Sequence, residues 1–471
     1  RLNTIMTLQF AVLLTYASLL MGFGLWIGKR VKRTSDFFVA GRRLGPFLLF
    51  ATLLASNIGA GSTVNAAALG YRDGLSAWWW VGSAGLGSIV LALWIGPKIR
   101  RLAADHNLHT VGDFLEYRYG QGVRATVAVL LWVGTVAILA GQLMAIGWVL
   151  NVVTGVDRWI GCALGGLVVT VYFTAGGLLT AVWVNVVQLV VLLVGFVVVL
   201  PLALSEVGGW SQVVTATQGI ESYWNPWKGG GSGWFYLAML GPAFIISPGL
   251  LQKVYGARDD ASVRLGVGLN AIVLLIFAII PPLLGMIARS VSPELSNQDL
   301  ALPTLLMEMI PPAIGALGLA ALFSAEVSSA DVILFMLATS LSQDLYRRFL
   351  RPEATDAQVL NVARWAAIVG GILGVGLAIA AESIADVLTF FYTLLSVSLF
   401  VPVLAGLYLR RVASIEALTA IVGGIAVATL VQISTSGTGI AGLTPAMCGL
   451  GAAVLSCGGA TAIRVTVARQ G

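Results

Sequence analysis

Charge is what this 471-residue chain has least of. Only 10% of its residues are Asp, Glu, Lys or Arg, where soluble domains carry about 25%. With 58% hydrophobic residues and a mean hydropathy of +0.92, a soluble globular fold is excluded. Cysteine is nearly as scarce. Cys162, Cys448 and Cys457 all lie in apolar segments without paired spacing, so neither a disulfide framework nor a thiolate metal site is encoded. The two histidines, His106 and His109, share one loop, which argues against His-based catalysis or metal binding. No phosphate-binding loop and no nucleophile–base pair stands out, so nothing points to an enzyme or to an enzymatic cofactor. The net charge of +6 does not signal nucleic acid, because the basic residues cluster at the ends of apolar runs.

Those runs are what the chain has in abundance. A hydrocarbon core about 30 Å thick needs about 20 helical residues to cross it. Thirteen candidate spans follow: 8–26, 46–64, 76–97, 123–153, 159–174, 180–204, 234–255, 265–288, 312–342, 361–380, 384–409, 415–434 and 443–465. The first is too long for a signal-peptide core and reads as a retained helix. Twenty-two Lys and Arg fall on one side of this arrangement, among them Lys29, Arg30, Lys32, Arg33, Arg42 and Arg43. Five fall on the other: Arg1, Arg72, Arg158, Lys228 and Arg289. Positive loops stay cytoplasmic. The expected protein is therefore an all-α, multi-pass cell-membrane protein with its N-terminus outside and its C-terminus inside. The aromatic loop Tyr223-Trp224-Asn225-Pro226-Trp227 suits anchoring at the membrane surface, with gating as the alternative.

Two spans are too polar for mere membrane crossing. The second reads Ala55-Ser56-Asn57-Ile58-Gly59-Ala60-Gly61-Ser62-Thr63. An interruption at mid-membrane frees carbonyls and amides that must line a cavity, and such groups bind a cation and a solute in secondary transporters. Close packing through small residues is the structural alternative. The ninth span carries Ala321, Ser324, Ser328 and Asp331 on one face at about 100° per residue, with Glu326 roughly opposite, toward another helix interface or a second pathway. Hydroxyls one turn apart and a carboxyl suit a hard cation, and an intramembrane acid is a functional candidate by default. Asn185 and Gln188, on the sixth span, are candidates for interhelical hydrogen bonding or for an ion exit path.

Taken together, the broken second span, Pro97 to Arg101 leading into Thr110 to Glu116, Ala140-Gly141-Gln142-Leu143, Gly176-Gly177 with Trp183 and Gln188, Gly249 to Arg264, and Ser340 to Tyr346 carry a resemblance along essentially the whole chain. The chain resembles the sodium:solute symporters. The resemblance implies one transport domain over 1–471 with a LeuT-type 5+5 inverted repeat: an extra helix at 8–26, repeats at 46–204 and 234–409, and two further helices at 415–465. It implies a sodium site at Ala55, Ile58, Ala321 and Ser324, with Ala325 where a second hydroxyl is usual. Solute is expected at Asn57, Gly59, Ser62, Thr63, Trp79 and Gln142, with the Trp78-Trp79-Trp80 run facing the cavity. Asn185 stands where the family usually has an acid and Val327 where some members have a hydroxyl, so a second sodium site is expected to be absent. Asn185, Glu326, Ser328 and Asp331 are the coupling candidates. The expected activity is sodium-coupled symport of a small neutral or zwitterionic organic solute, such as a sugar or amino acid, by a monomer in the bilayer. Proton-coupled symport or uniport through Asp331 or Glu326 is the alternative, and a solute-binding membrane sensor is the alternative from another class.

Overall fold

The computed structural model describes residues 2–28, 44–228 and 233–470. The basic cluster from Lys29 to Arg43 lies outside the described residues, and so do the side chains of 175–183, which include the Gly176-Gly177 motif and Trp183. Among the described residues the fold is helical, and ten helices are long and apolar enough to cross a membrane. The shorter apolar helix Pro46–Asn57 accompanies them, and apolar stretches also fall within the helices Leu2–Gly28 and Arg158–Glu206. The helix Arg158–Glu206 carries both the fifth and the sixth expected spans.

The centre of the protein is the helix Pro312–Thr339, which continues in wider turns through Ser340–Leu350. Every residue from Gly318 to Thr339 is buried. Neighbours surround this helix on every side, so no face of it is left over for a peripheral interface, and its polar residues are buried with the rest. Around it pack the first helix, Leu2–Gly28, the long helices Gln121–Thr154 and Arg158–Glu206, and the interrupted helix that begins at Pro46.

That interrupted helix ends at Asn57 and restarts at Val64, ending again at Asp73. Ile58 turns to extended backbone, with φ −101° and ψ 97°. A second interruption falls at Ser247, between the helices Tyr236–Ile246 and Pro248–Tyr255. Sequence reading takes 234–255 as one span. Yet Pro248 supplies a local reason for the break, since a proline disfavours helical backbone at the residue before it; Ser247 has ψ 124°. The two interrupted helices are tied end to end. Leu44 N–H donates to Gly256 O at 3.0 Å, and Arg258 N–H donates to Leu44 O at 3.0 Å.

The aromatic loop does more than lie at a surface. Tyr223 is only 1% exposed, and its hydroxyl donates to Gly70 O at 2.8 Å, while Leu75 N–H donates to Tyr223 O at 3.0 Å. It therefore packs onto the second half of the first interrupted helix, and Gly74 lets it approach: a Cβ there would meet Tyr223 O at 2.0 Å.

Candidate functional site

The break between Asn57 and Val64 is held open by its own polar side chains. The Ser62 hydroxyl donates to Asn57 O at 2.8 Å and accepts from Gly59 N–H at 3.0 Å. Ala60 N–H donates to Gln142 Oε1 at 2.8 Å, which pins the unwound strand to the helix Gln121–Thr154. Asn57 Nδ2 donates to Asn270 Oδ1 at 3.1 Å. Buried backbone groups require partners, and these side chains supply the ones that a continuous helix would have supplied itself. Gly59 is where the strand passes closest to its neighbours. A Cβ at this position would lie 2.2 Å from Ser329 Oγ and 2.7 Å from Gln142 Oε1.

The central helix meets this break from one side, with a register different from the expected one. The Ser328 hydroxyl donates to Ala55 O at 2.6 Å and lies 3.0 Å from Ala325 O; the Ser329 hydroxyl donates to Ser56 O at 3.0 Å. Ser324, one turn earlier, is engaged elsewhere. Its oxygen lies 2.6 Å from the Tyr16 hydroxyl of the first helix, and it donates to Gln188 O at 3.3 Å. Ala321 packs against Gly195 of the helix Arg158–Glu206. The oxygens that converge on the end of the Pro46–Asn57 half-helix are therefore those of Ala55, Ala325, Ser328 and Ser329, one turn further along the helix than the expected Ala321, Ser324 and Ala325. Ser329 supplies a second hydroxyl that the expected register lacked. Its signal was in the sequence, as the Ser328-Ser329 pair.

Glu326 does not face a separate interface. Its Oε1 accepts from the Thr63 hydroxyl at 2.7 Å, and that hydroxyl also lies 2.9 Å from Gly59 O. The carboxyl thus sits at the restart of the broken helix, where unsatisfied N–H groups favour negative charge. Thr63 is consequently occupied with the backbone and Glu326, not with the cavity.

The cavity lies at the break, lined in part by Ser329, Val332 and Met336 of the central helix, with a volume of about 70 Å³. That is room for more than one water. Asn57, Gly59, Ser62 and Gln142 are among the residues that line it. Trp80, Phe244, Phe391 and Tyr392 form its aromatic wall, in which the rings of Trp80 and Tyr392 stand 6.1 Å apart and those of Phe244 and Tyr392 5.8 Å apart. Trp79 is elsewhere. Its Nε1–H donates to Pro226 O at 2.8 Å, and its ring lies 5.2 Å from Trp227, so it belongs to the aromatic loop. Adjacent helical residues point about 100° apart, which puts Trp80, and not Trp79, on the cavity face. Ser247, at the second break, is also part of the lining. Among the described residues no Asp, Glu, Lys, Arg or His lines the cavity.

A further polar group lies behind the site. Asn185 Nδ2 donates to Thr52 Oγ1 at 3.3 Å. Lys253 is 1% exposed, and its ammonium donates to Thr52 O at 2.7 Å and to Ser56 Oγ at 2.5 Å. Sequence reading gave Lys253 to the basic loops; the structure buries it. Among the described residues no cluster of three or more His, Cys, Asp and Glu is arranged to hold a metal ion.

Two interrupted helices, a hydroxyl-bearing central helix and a cavity at the break define a multi-pass membrane transporter. A family model described as the sodium:solute symporter family matches residues 37–424, and the chain belongs to that family. It is a transporter, not an enzyme, and Na+ is the family's coupling ion. The chain is 26% identical to a sodium/glucose cotransporter of Vibrio parahaemolyticus, over 89% of this chain and 84% of that one. It is 27% identical to a sodium/pantothenate symporter of Escherichia coli strain K12, over 92% of each chain. It is also 27% identical to a human sodium/iodide cotransporter, over 74% of this chain and 57% of that one. In fold it is similar to a Na+-coupled sialic acid symporter solved in a substrate-bound, outward-open state, with a TM-score of 0.81, 20% identity, and 97% and 98% of the two chains covered.

Proposed function

We propose that this protein moves a small organic solute of no net charge, neutral or zwitterionic, across the cell membrane in symport with sodium. The observation that carries the ion half is the convergence of the Ser328 and Ser329 hydroxyls on the carbonyls of Ala55 and Ser56. Carbonyl and hydroxyl oxygens suit a hard monovalent cation, and the end of a half-helix presents the negative end of its dipole. In this reading Ala55, Ile58, Ala325, Ser328 and Ser329 receive the ion, once the hydroxyl protons rotate away from the carbonyls. The solute half rests on the uncharged lining of the cavity, where Asn57, Ser62, Gln142 and Ser247 offer hydrogen bonds and the aromatic wall offers an apolar face. Ion and solute sites share the Asn57–Thr63 break, so occupancy of one shapes the other.

The chain is read as one transport domain of thirteen crossings with the N-terminus outside, working as a monomer. An inverted relation between 46–204 and 234–409 is supported by the position of the two breaks, since each half begins with an interrupted helix. Alternating access then follows from one half rocking against the other around the breaks. The uncharged oxygens that converge at Ala55, Ser328 and Ser329 give sodium precedence over a proton as the coupling ion. Uptake into liposomes containing the purified protein tests the reading, with labelled sugars, amino acids and carboxylates and with sodium and proton gradients imposed separately. Accumulation under a sodium gradient alone is the expected result; accumulation under a proton gradient alone overturns it.

A further inference from the structure

Several hydrogen-bond donors around the break are engaged within the protein. The Ser62 hydroxyl donates to Asn57 O at 2.8 Å, the Ser329 hydroxyl to Ser56 O at 3.0 Å, and Asn57 Nδ2 to Asn270 Oδ1 at 3.1 Å. Three donors on the cavity wall are not. Gln142 turns its Oε1 to Ala60 N–H at 2.8 Å. A backbone N–H can only donate, so this contact fixes the amide and leaves the Nε2 hydrogens to the cavity that Gln142 lines. Trp80 and Tyr392 meet through their rings, but among the described residues neither the indole N–H nor the phenol O–H has a hydrogen-bond partner. Both atoms converge on one residue of the break. From the point where a Cβ of Gly61 would stand, Trp80 Nε1 is 3.5 Å away and Tyr392 Oη 4.0 Å. Gln142 meets the strand one residue earlier, at Ala60. The helices Trp78–Val90, Gln121–Thr154 and Ile384–Tyr408 thus each bring an open donor to Ala60 and Gly61.

We infer that Trp80 Nε1–H, Tyr392 O–H and the Gln142 amide hydrogens form one recognition point for a carboxylate or carbonyl oxygen, and that the solute is a small carboxyl- or carbonyl-bearing molecule, not a polyol. The inference rests on the reading of this cavity as the solute site and narrows its solute class. A polar group buried without a partner is costly, so the solute must answer all three donors. A carboxylate or carbonyl oxygen accepts more than one hydrogen bond and brings no proton of its own. A hydroxyl accepts too, but its proton then needs an acceptor, and of the three groups only the Tyr392 oxygen can serve as one. Phe244, Phe391, Val332 and Met336 give the rest of the solute an apolar wall. At about 70 Å³ the cavity is less than half the size of one that holds benzene, about 150 Å³, which suits a compact solute.

Equilibrium dialysis of labelled compounds against the purified protein in detergent tests this, with and without sodium chloride and with size-exclusion chromatography confirming folded protein. Alanine and proline carry a carboxylate in a zwitterion, lactate carries one in an anion, and lactamide carries an uncharged carbonyl; glycerol and glucose are polyols. Binding is expected from the carboxyl and carbonyl compounds and not from the polyols. Tyr392→Phe and Trp80→Phe each remove one donor and keep a ring. Each is expected to weaken the binding of a carboxylate about tenfold and to leave the binding of radioactive sodium unchanged. Glucose or glycerol bound as tightly as the best of the other four overturns the inference and leaves sodium-coupled symport standing. Unchanged affinity in both folded variants overturns it too, as does binding of none of the six compounds. A carboxyl or carbonyl compound bound without regard to sodium overturns the coupling reading instead, and binding of lactate alone overturns the reading of a solute without net charge; the donor group stands in both cases.

Discussion

The Thr63 hydroxyl donates to the Glu326 carboxyl at 2.7 Å, joining the restart of the broken helix to the central helix across 263 positions of sequence. Both groups are fully buried. Glu326→Gln retains an acceptor for Thr63, so its sodium-driven uptake is expected to stay within a few-fold of wild type. Glu326→Ala leaves the Thr63 end of the break short of a partner, at a cost of about 1–3 kcal/mol. That variant is expected to lose most uptake and to melt at a lower temperature. Equal loss in both variants would show that the negative charge, not the hydrogen bond, is what the site needs.

The serines of the central helix separate two registers. If Ser328 and Ser329 face the ion, each alanine variant loses an oxygen ligand. A hydrogen bond or ligand contact to a charged group is worth about 1.5–3 kcal/mol, so the sodium concentration for half-maximal uptake is expected to rise about tenfold or more. Ser324→Ala removes contacts to Tyr16 and Gln188 instead, and is expected to change sodium dependence less than about twofold, within the range of surface or peripheral substitutions. A larger sodium shift for Ser324→Ala than for Ser328→Ala would restore the earlier register.

The contrast between these two registers shows what the sequence carries and what it leaves open. The broken helix is legible because Gly59, Gly61 and five polar side chains interrupt an apolar run, and the structure breaks there. The polar face of the ninth span is legible too, because helical periodicity sorts residues by face. Periodicity does not fix position along the axis, however. Ser324 and Ser328 share a face, one turn or about 5.4 Å apart, and only packing against the break decides which of them meets Ala55. The same limit applies around the axis to Trp79 and Trp80, adjacent aromatics of which one faces the cavity and the other the aromatic loop. Pro248 did signal the second break, but an apolar stretch on both sides of it masked the signal. Lys253 was out of reach altogether, because a lysine near a span end ordinarily marks a cytoplasmic loop.

Glycine at the break makes a steric test. Gly59→Ala would bring a Cβ to 2.2 Å from Ser329 Oγ and 2.7 Å from Gln142 Oε1, two side chains committed to the site. Gly61→Ala would bring its nearest contact to 3.4 Å, from Leu388. Overpacking a tight interior costs about 1–3 kcal/mol. Gly59→Ala is therefore expected to abolish uptake, and Gly61→Ala to retain it; the two variants differ by one methyl group at positions two residues apart. Equivalent uptake by both would mean that the strand is free to shift away from Ser329.

Arg124 makes the most connected ion cluster among the described residues. Its guanidinium reaches Asp113 at 2.8 Å, Glu116 at 2.7 Å and Asp344 at 2.7 Å, and its side chain is 6% exposed. Thr110 Oγ1 donates to Asp344 as well, at 2.7 Å, which ties the Val111–Tyr119 helix to the far end of the central helix. Removing one partner of a buried pair costs about 3–5 kcal/mol, because the remaining charges stay buried. Arg124→Met is expected to lower the melting temperature in detergent markedly, and Arg124→Lys to recover only part of the loss, since an ammonium cannot fork to three carboxylates. Full recovery with lysine would mean that charge alone, without the planar geometry, holds the cluster.

Asp299 gives the pH dependence a definite sign. It lies in the short helical turn Gln298–Leu300, between the helices Ile280–Val291 and Pro312–Thr339, and its Oδ2 accepts from Ile384 N–H at 3.2 Å, at the start of the helix Ile384–Tyr408. Burial pushes its carboxyl up from 3.8 to about 6, against the opposing pull of the Ile384 N–H and Arg158. The folded protein therefore holds a proton that the unfolded chain releases. Stability from this group is fully present below 3.8 and is lost as pH rises through about 6. Asp299→Asn keeps an oxygen for the Ile384 N–H but cannot ionise. Its melting temperature, relative to wild type, is expected to rise between pH 4 and pH 7 and to level off above that. A difference that stays constant or falls over this interval would mean that Asp299 is ionised in the folded protein throughout, with Arg158 outweighing the cost of burial.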